Sequence, residues 1–346
     1  MASLFARIRV AIGILALLTF AAVVVPAAAQ QPTSVNPTAS SVKEEDLLRQ
    51  LGTIQGRGTL PDVRSQTIEQ PGGRDWRHFH QVTLPRIGTY AILGMLAILV
   101  LFYLIRGSVR LASGRSGQTI LRFNVFERFV HWLTATCFII LALSGLNITF
   151  GKFLLLPYIG PENFTVLSQW AKYAHNYLSF PFTIGVILIF LMWFAGNLPR
   201  GVDVQWLKQG GGLVGSKHPP AYRFNAGQKL IYWIVVLGGA AAAISGYLLM
   251  FPFWQGQVAG VAVNPGIAGM QLAQVVHGVV GVLYIAAMLA HIYIGTLGME
   301  GAFEAMGTGQ VDVNWAKEHH SLWVERMAAK GRLKEGPAAP SATPAE

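Results

Sequence analysis

Apolar residues gather along this chain into five blocks, separated by polar stretches that hold most of the glycines and charges. The blocks run at Ile87–Ile105 and at about 131–150, 175–196, 229–251 and 271–297. Each is close to the ~20 residues a helix needs to cross the apolar core of a bilayer. The pattern predicts an all-α integral membrane protein. A further apolar run opens the chain, MASLFARIRVAIGILALLTFAAVVVPAAAQ. Arg7 and Arg9 precede it and Ala27-Ala28-Ala29 closes it, the layout of a secretory signal peptide over residues 1–29, with an uncleaved signal anchor as the alternative. Residues 30–84 are polar, with six acidic and six basic residues from 31 on, and read as a mostly irregular exported arm.

Composition agrees. The 346 residues are 53% hydrophobic and only 12% charged, with mean hydropathy +0.45. A soluble domain carries about 25% charged residues. The net charge of +10 sits in loops and forms no run, which argues against nucleic acid. The single cysteine, Cys137, excludes a disulfide framework, a Cys-x-x-Cys-His attachment of c-type haem and a cysteine-bound iron–sulfur cluster.

Lys and Arg set the expected orientation. Residues 106–130 hold Arg106, Arg110, Arg115, Arg122 and Arg128, and residues 197–229 hold Arg200, Lys208, Lys217, Arg223 and Lys229. The tail carries Lys317, Arg326, Lys330, Arg332 and Lys334. Residues 151–174 have only Lys152 and Lys172, and 252–270 have none. The three basic segments are expected in the cytoplasm and the N-terminal arm in the periplasm, in a bacterial inner membrane. The last four spans also repeat. RFNVFERFVHW (Arg122–Trp132) matches RFNAGQKLIYW (Arg223–Trp233) at an offset of 101, and Ser144-Gly145 recurs as Ser245-Gly246. They read as two helical hairpins in tandem.

Four histidines lie in these spans: His131, His175, His277 and His291. One alone reads best as a core histidine bonded to a carbonyl. Their depths say more. His131 and His291 fall at the inner level, His175 and His277 at the outer. On the last helix the fourteen residues between His277 and His291 rise about 21 Å and return the rings to roughly one face. The arrangement suits two b-type haems stacked across the membrane, the inner held by His131 and His291, the outer by His175 and His277. Bis-imidazole ligation favours electron transfer over chemistry at the iron. Gly185, Gly278 and Gly281 are candidates for close approach of a porphyrin, with helix packing the alternative. A proton or ion pathway is the rival reading; the absence of mid-span carboxylates counts against it.

ERFVHW followed by LALSG, then RFNAGQK, VVHGVVGVLYIAAMLAHIY and NWAKEHH resemble the cytochrome b (gamma) subunit of respiratory formate dehydrogenase, over about residues 118–328. HW and LSG also recur in hydrogenase cytochromes. The resemblance implies haem iron ligation by the same four histidines and a quinone pocket on the inner side at Asn225, Gly227 and Gln228, taking menaquinone or ubiquinone. Asn225 with Gln228 three residues on also forms a helix capping box in sequence. The implied partners are an iron–sulfur beta subunit and a molybdenum or tungsten catalytic alpha subunit. The chain itself has no cysteine array or other means to bind a metal pterin, so it reads as the electron-transfer and quinone-reducing subunit. The expected layout is an exported arm at 30–84, an extra span at 85–107, a four-helix haem-bearing bundle at 118–298 and a cytoplasmic tail at 299–346. Of the remaining motifs, His319-His320 read as a surface or partner contact, GGGLVGSK (Gly210–Lys217) as a flexible loop, and His78 and His80 in WRHFH as interfacial anchors.

Overall fold

The computed structural model describes residues 72–212, 218–252, 256–258, 261–263 and 266–331. The signal segment 1–29 and the arm up to residue 71 lie outside the described residues, as does most of GGGLVGSK. Among the described residues, five helices are long and apolar enough to cross a membrane: α1 (Gly73–Arg106), α2 (Val125–Leu154), α3 (Leu156–Gly196), α5 (Ala226–Met250) and α6 (Gly266–Gly298). A short α4 (Gly201–Lys208) precedes α5. The tail folds as α7 (Glu304–Gly307), α8 (Val313–His319) and α9 (Ser321–Ala329). Four short strands complete the order among the described residues: β1 (Thr119–Leu121), β2 (Gly256–Val258), β3 (Val261–Val263) and β4 (Gln310–Asp312).

The repeat is visible in how α2 and α5 begin. Asn124 Oδ1 accepts the Glu127 N–H at 2.9 Å while Glu127 Oε2 accepts the Asn124 N–H at 2.9 Å. Asn225 and Gln228 make the same reciprocal pair at 2.9 and 3.2 Å. Each box satisfies two of the N–H groups that a helix start leaves unpaired. The starts are then tied crosswise. Arg122 Nη2 donates to the Arg223 carbonyl at 2.6 Å, and Arg223 Nη2 donates to the Arg122 carbonyl at 2.7 Å. Arg223 also pairs with Glu127 at 2.7 Å.

Three sequence expectations need correction. The arm is not irregular up to residue 84: α1 starts at Gly73, and its residues 73–84 are helical. Pro85 looks like a break, because it lacks an N–H and crowds the carbonyl four residues back. A π turn at Phe79–Thr83 lies just before it and lets the helix pass through. Next, α3 does not begin at His175 but runs for several turns before it, past a kink at Gly160 (φ 77°). This polar leading part packs on the end of α2, where Asn147 Nδ2 donates to Ser168 Oγ at 3.1 Å.

The third correction concerns the tail, which is a folded layer as far as residue 331. β4 pairs antiparallel with β1, Ile120 opposite Val311. Glu318 accepts the N–H groups of Ala112 and Ser113 at 3.1 and 2.8 Å, and Asp312 caps α8. His319 and His320 are therefore not surface groups: they are 8% and 0% exposed. Both rings pack on Trp315, and His320 Nδ1 meets the Tyr222 carbonyl at 2.6 Å. Adjacent positions on a helix normally face different ways. Here α8 ends at His319, so the chain turns and both rings enter one core with Phe123, Phe224 and Trp323.

Burial lowers the pKa of both imidazoles, His319 to about 4 and His320 well below its ordinary value, so both are held neutral. Burial opposes ionisation of Asp312 and Glu318, but the N–H donors around each outweigh it and leave both carboxyls below their ordinary range. Each depressed folded pKa adds stability above the unfolded value and loses it as pH falls toward the folded one. The tail layer is expected to lose stability from about pH 6.5 down to about 4 as the unfolded state takes up the histidine protons, and further below that as the carboxylates protonate. Denaturant titration of Trp315 and Trp323 fluorescence in detergent at stepped pH measures it; a flat profile from pH 7 to 4 contradicts the burial of the two rings.

Candidate cofactor site: two histidine pairs in the bundle

The rigid element of the site is α6, which carries His277 and His291 on an unbroken α-helical stretch. His131 of α2 faces His291, with ring centroids 6.3 Å apart and planes at 62°. His175 of α3 faces His277 at 5.9 Å and 74°. The first pair lies toward the end of the bundle that bears the basic loops, the second toward the opposite end. A ligating imidazole nitrogen stands about 2 Å from a first-row metal ion. Two opposed rings sharing one ion thus have centroids about 6 Å apart. No three His, Cys, Asp or Glu side chains converge as a metal site among the described residues. Two-imidazole sites are what these histidines offer.

In the far pair the hydrogen bonds decide which nitrogen is available. Ser144 Oγ lies 2.8 Å from His175 Nδ1 and donates its own proton to the Ile140 carbonyl at 2.7 Å. Ser245 Oγ lies 3.2 Å from His277 Nδ1 and donates to the Ala241 carbonyl at 2.6 Å. With each hydroxyl proton spent on a carbonyl, the oxygen accepts, so Nδ1–H is the donor. His277 Nδ1 also faces the Ala242 carbonyl at 3.0 Å, which can only accept. Both rings therefore carry the proton on Nδ1 and leave Nε2 bare, the tautomer a metal ligand needs. The glycine after each serine supplies room: a Cβ at Gly145 would stand 3.5 Å from His175 Cε1, and one at Gly246 would stand 3.0 Å from His277 Cε1.

At the basic end, His131 Nδ1 is buried with no partner among the described residues. Its ring meets Trp132 edge-on at 5.2 Å, and Trp132 Nε1 donates to the Met306 carbonyl at 2.9 Å. As whole residues, His291 is exposed and the other three histidines are half-buried. Two glycines proposed for porphyrin approach serve helix packing instead. A Cβ at Gly185 would strike Thr134 of α2, and one at Gly278 would stand 2.6 Å from the Leu84 side chain of α1. Gly281 meets nothing within 4 Å. The roles of Ser144, Gly145, Ser245 and Gly246 were marked in the sequence only by their recurrence.

Between the levels lies an aromatic layer. Phe138, Phe182 and Tyr284 each stand seven residues from a histidine on their own helix, and Tyr284 is midway between both of α6. Their ring centroids are 4.8 Å apart for Phe138–Tyr284, 6.3 Å for Phe138–Phe182 and 6.4 Å for Phe182–Tyr284. The Tyr284 hydroxyl donates to the Val235 carbonyl at 3.3 Å, inside the π turn of α5.

Comparison with known proteins places this geometry. Residues 122–309 match the prokaryotic cytochrome b561 family. The chain belongs to that family. It is 29% identical over 212 residues to the cytochrome b556(fdo) subunit of formate dehydrogenase from Escherichia coli K12, covering 61% of this chain and 94% of the relative. Against the cytochrome b556(Fdn) subunit of the nitrate-inducible formate dehydrogenase of the same strain it is 26% identical over 225 residues, 63% and 98%. Against the formate dehydrogenase cytochrome b556 subunit of Haemophilus influenzae Rd it is 24% identical over 222 residues, 62% and 86%. The resemblance to formate dehydrogenase cytochrome b subunits is thereby found independently.

A b561-family cytochrome implies haem b. The residues present fit that group: imidazoles opposed at the spacing of one shared ion, with Nε2 free in the far pair. The remaining sequence candidates of this cytochrome, Asn225, Gly227 and Gln228, sit at the start of α5, near the basic-end pair in depth. Lys229, buried, pairs with Asp203 of α4 at 2.7 Å. That bond holds α4 so that the Trp206 ring covers Gly227, where a Cβ would stand 3.0 Å from it.

Gly246→Val is expected to push the His277 ring off its seat. Overpacking of this kind costs roughly 1–3 kcal/mol. Haem content per chain should fall and thermal stability with it, whereas Gly201→Ala, facing open space, should change neither. Unchanged haem content in Gly246→Val would show that the ring edge is not confined as described.

Proposed function

We propose that this cytochrome is the membrane subunit of a formate dehydrogenase complex, passing electrons from an iron–sulfur partner to a quinone at the cytoplasmic side. The observation that carries the proposal is the pair of imidazole clamps at 5.9 and 6.3 Å, set at two heights by one helix. His175 and His277 would hold the outer haem, His131 and His291 the inner one. When bound, haem b supplies reversible one-electron chemistry at each height. The protein's part is to fix the tautomers, through Ser144 and Ser245, and to keep the space between the heights dry with Phe138, Phe182 and Tyr284. The relatives' names supply the complex, and the basic segments 106–130, 197–229 and the tail supply the orientation.

The capping box at Asn225 supports a quinone site. A backbone N–H can only donate, so the Gln228 N–H fixes Oδ1 as the Asn225 atom facing it, and the Asn225 N–H fixes Oε1 of Gln228. Both amides are left with their NH2 groups turned away from the box, and neither NH2 has a partner among the described residues. Two amide donors flanking Gly227, which the Trp206 ring covers, match a quinone, whose oxygens accept. Reduction to quinol takes two electrons and two protons, the protons drawn from the cytoplasmic side. Electrons moving inward while inner protons are consumed would generate a membrane potential.

Absorption spectra of membranes test the assignment: the b-type bands should be reduced by formate as well as by dithionite. Reduction by hydrogen but not formate would assign a hydrogenase partner instead, and a haem-free chain would leave an ion pathway. His291→Ala is expected to remove the inner haem and block quinone reduction, with the outer haem still reducible by formate; retention of both haems counts against the ligand set. Asn225→Ala should keep both haems and raise the quinone KM about tenfold, the worth of one hydrogen bond to an oxygen gaining charge. Normal quinone kinetics in that variant would remove Asn225 from the site.

A further inference from the structure

The two halves of the repeat differ at one position of their capping boxes: Glu127 in the first, Gln228 in the second. In the first half the box is closed. Glu127 Oε2 accepts from its own cap, and Oε1 accepts from Trp193 Nε1 at 2.8 Å and from Arg223 at 2.7 Å. A carboxylate has no N–H to offer, so nothing is left for a ligand. In the second half the crossed arginine is Arg122, whose Nη2 reaches Gln228 Oε1 at 3.2 Å while bonding the Arg223 carbonyl at 2.6 Å. Gln228 Oε1 thus accepts from two donors, and its NH2 group stays available.

Arg122 is itself held from outside the bundle. It is 3% exposed, and its guanidinium carbon lies 5.0 and 5.6 Å from the Trp315 and Trp323 ring centroids and 5.4 Å from that of Phe123. No carboxylate pairs with it among the described residues. It is a buried positive charge steadied by aromatic faces and carbonyls. The tail layer that provides Trp323 and the α8 residue Trp315 lies beyond residue 309, where the family match ends.

We infer that Arg122 is a positioning residue of the quinone site, held in place by Trp315 and Trp323 of the tail. The inference rests on the reading of Asn225 and Gln228 as quinone donors. Arg122 fixes the Gln228 amide with its NH2 outward and sets an uncompensated positive charge behind it. That charge favours negative charge building on a quinone oxygen as electrons arrive. The tail layer thereby acts on the site from outside the bundle, as the clamp on this arginine.

The test uses the full complex in membranes with a decyl-benzoquinone and with menadione as probes, reading quinone KM and kcat, formate-driven haem reduction and haem content. Arg122→Lys keeps the charge but loses the planar guanidinium that rests on the Phe123, Trp315 and Trp323 faces and so holds Nη2 between its two acceptors. A KM raised about tenfold for both probes is expected, with haem content and haem reduction unchanged. Gln228→Glu copies the first half: its carboxylate pairs with Arg122 as Glu127 pairs with Arg223, so the fold is kept while the donor is lost. It should raise KM similarly without lowering the melting temperature, a split that a purely structural role would not give. If Arg122→Lys fails to assemble, Gln228→Glu and Trp323→Leu, which removes one aromatic face from the guanidinium and should raise KM with haem content unchanged, decide the matter. Wild-type KM in both Arg122→Lys and Gln228→Glu overturns the inference. A wild-type complex that reduces its haems with formate but reduces neither quinone overturns the reading beneath it instead.

Discussion

One metal ion can be shared by two imidazoles only if they stand at the same depth and face one another. That requirement governs this bundle. The α6 helix is the ruler: fourteen residues of unbroken helix set two ring heights about 21 Å apart. The hairpin of α2 and α3 must then bring His131 and His175 to those heights from the other side. Packing of α2 against α3 at Gly151 and Gly185, where side chains of the facing helix fill the place of a Cβ, sets how closely that hairpin closes. Seven-residue spacing puts Phe138, Phe182 and Tyr284 in a single layer between the heights. In lipid no water can satisfy a stray imidazole N–H, so Ser144 and Ser245 do it from the neighbouring helices.

The repeat gives the site its economy and its asymmetry. Crossed arginines lock the two half-bundles at their starts, each reaching the other's backbone. A Glu in one box and a Gln in the other make the first a closed ion pair and the second an open pair of donors. The same local motif thus caps a helix in both halves, and under the proposed function it would also recognise a ligand in one.

Much of this was legible in the sequence, because membrane helices announce themselves by length and apolarity and because depth can be counted along them. His131 and His291, like His175 and His277, could be matched by level before any contact was known. What escaped is nonlocal or depends on a neighbour's shape. The tail fold rests on β4 pairing with β1, whose partners lie about 190 residues away in sequence, so His319 and His320 read as surface groups although they are buried. Gly278 beside a histidine suggested room for a porphyrin; Leu84 of α1 occupies that room, and α1 lies before the residues the family shares. The polar composition of the residues before Pro85 hid the true start of α1, because hydropathy does not reveal a helix that begins in a polar stretch. Ser144-Gly145 and Ser245-Gly246 were visible as a recurrence whose meaning needed the rings they hold.

The most direct test of the central claim is a haem count. The purified chain, expressed with ample haem supply and assayed as the pyridine haemochrome, should carry two haem b per polypeptide, with a low-spin spectrum in the oxidised state as bis-imidazole ligation requires. One haem per chain, none, or a high-spin iron open to added ligands would contradict the two-height clamp.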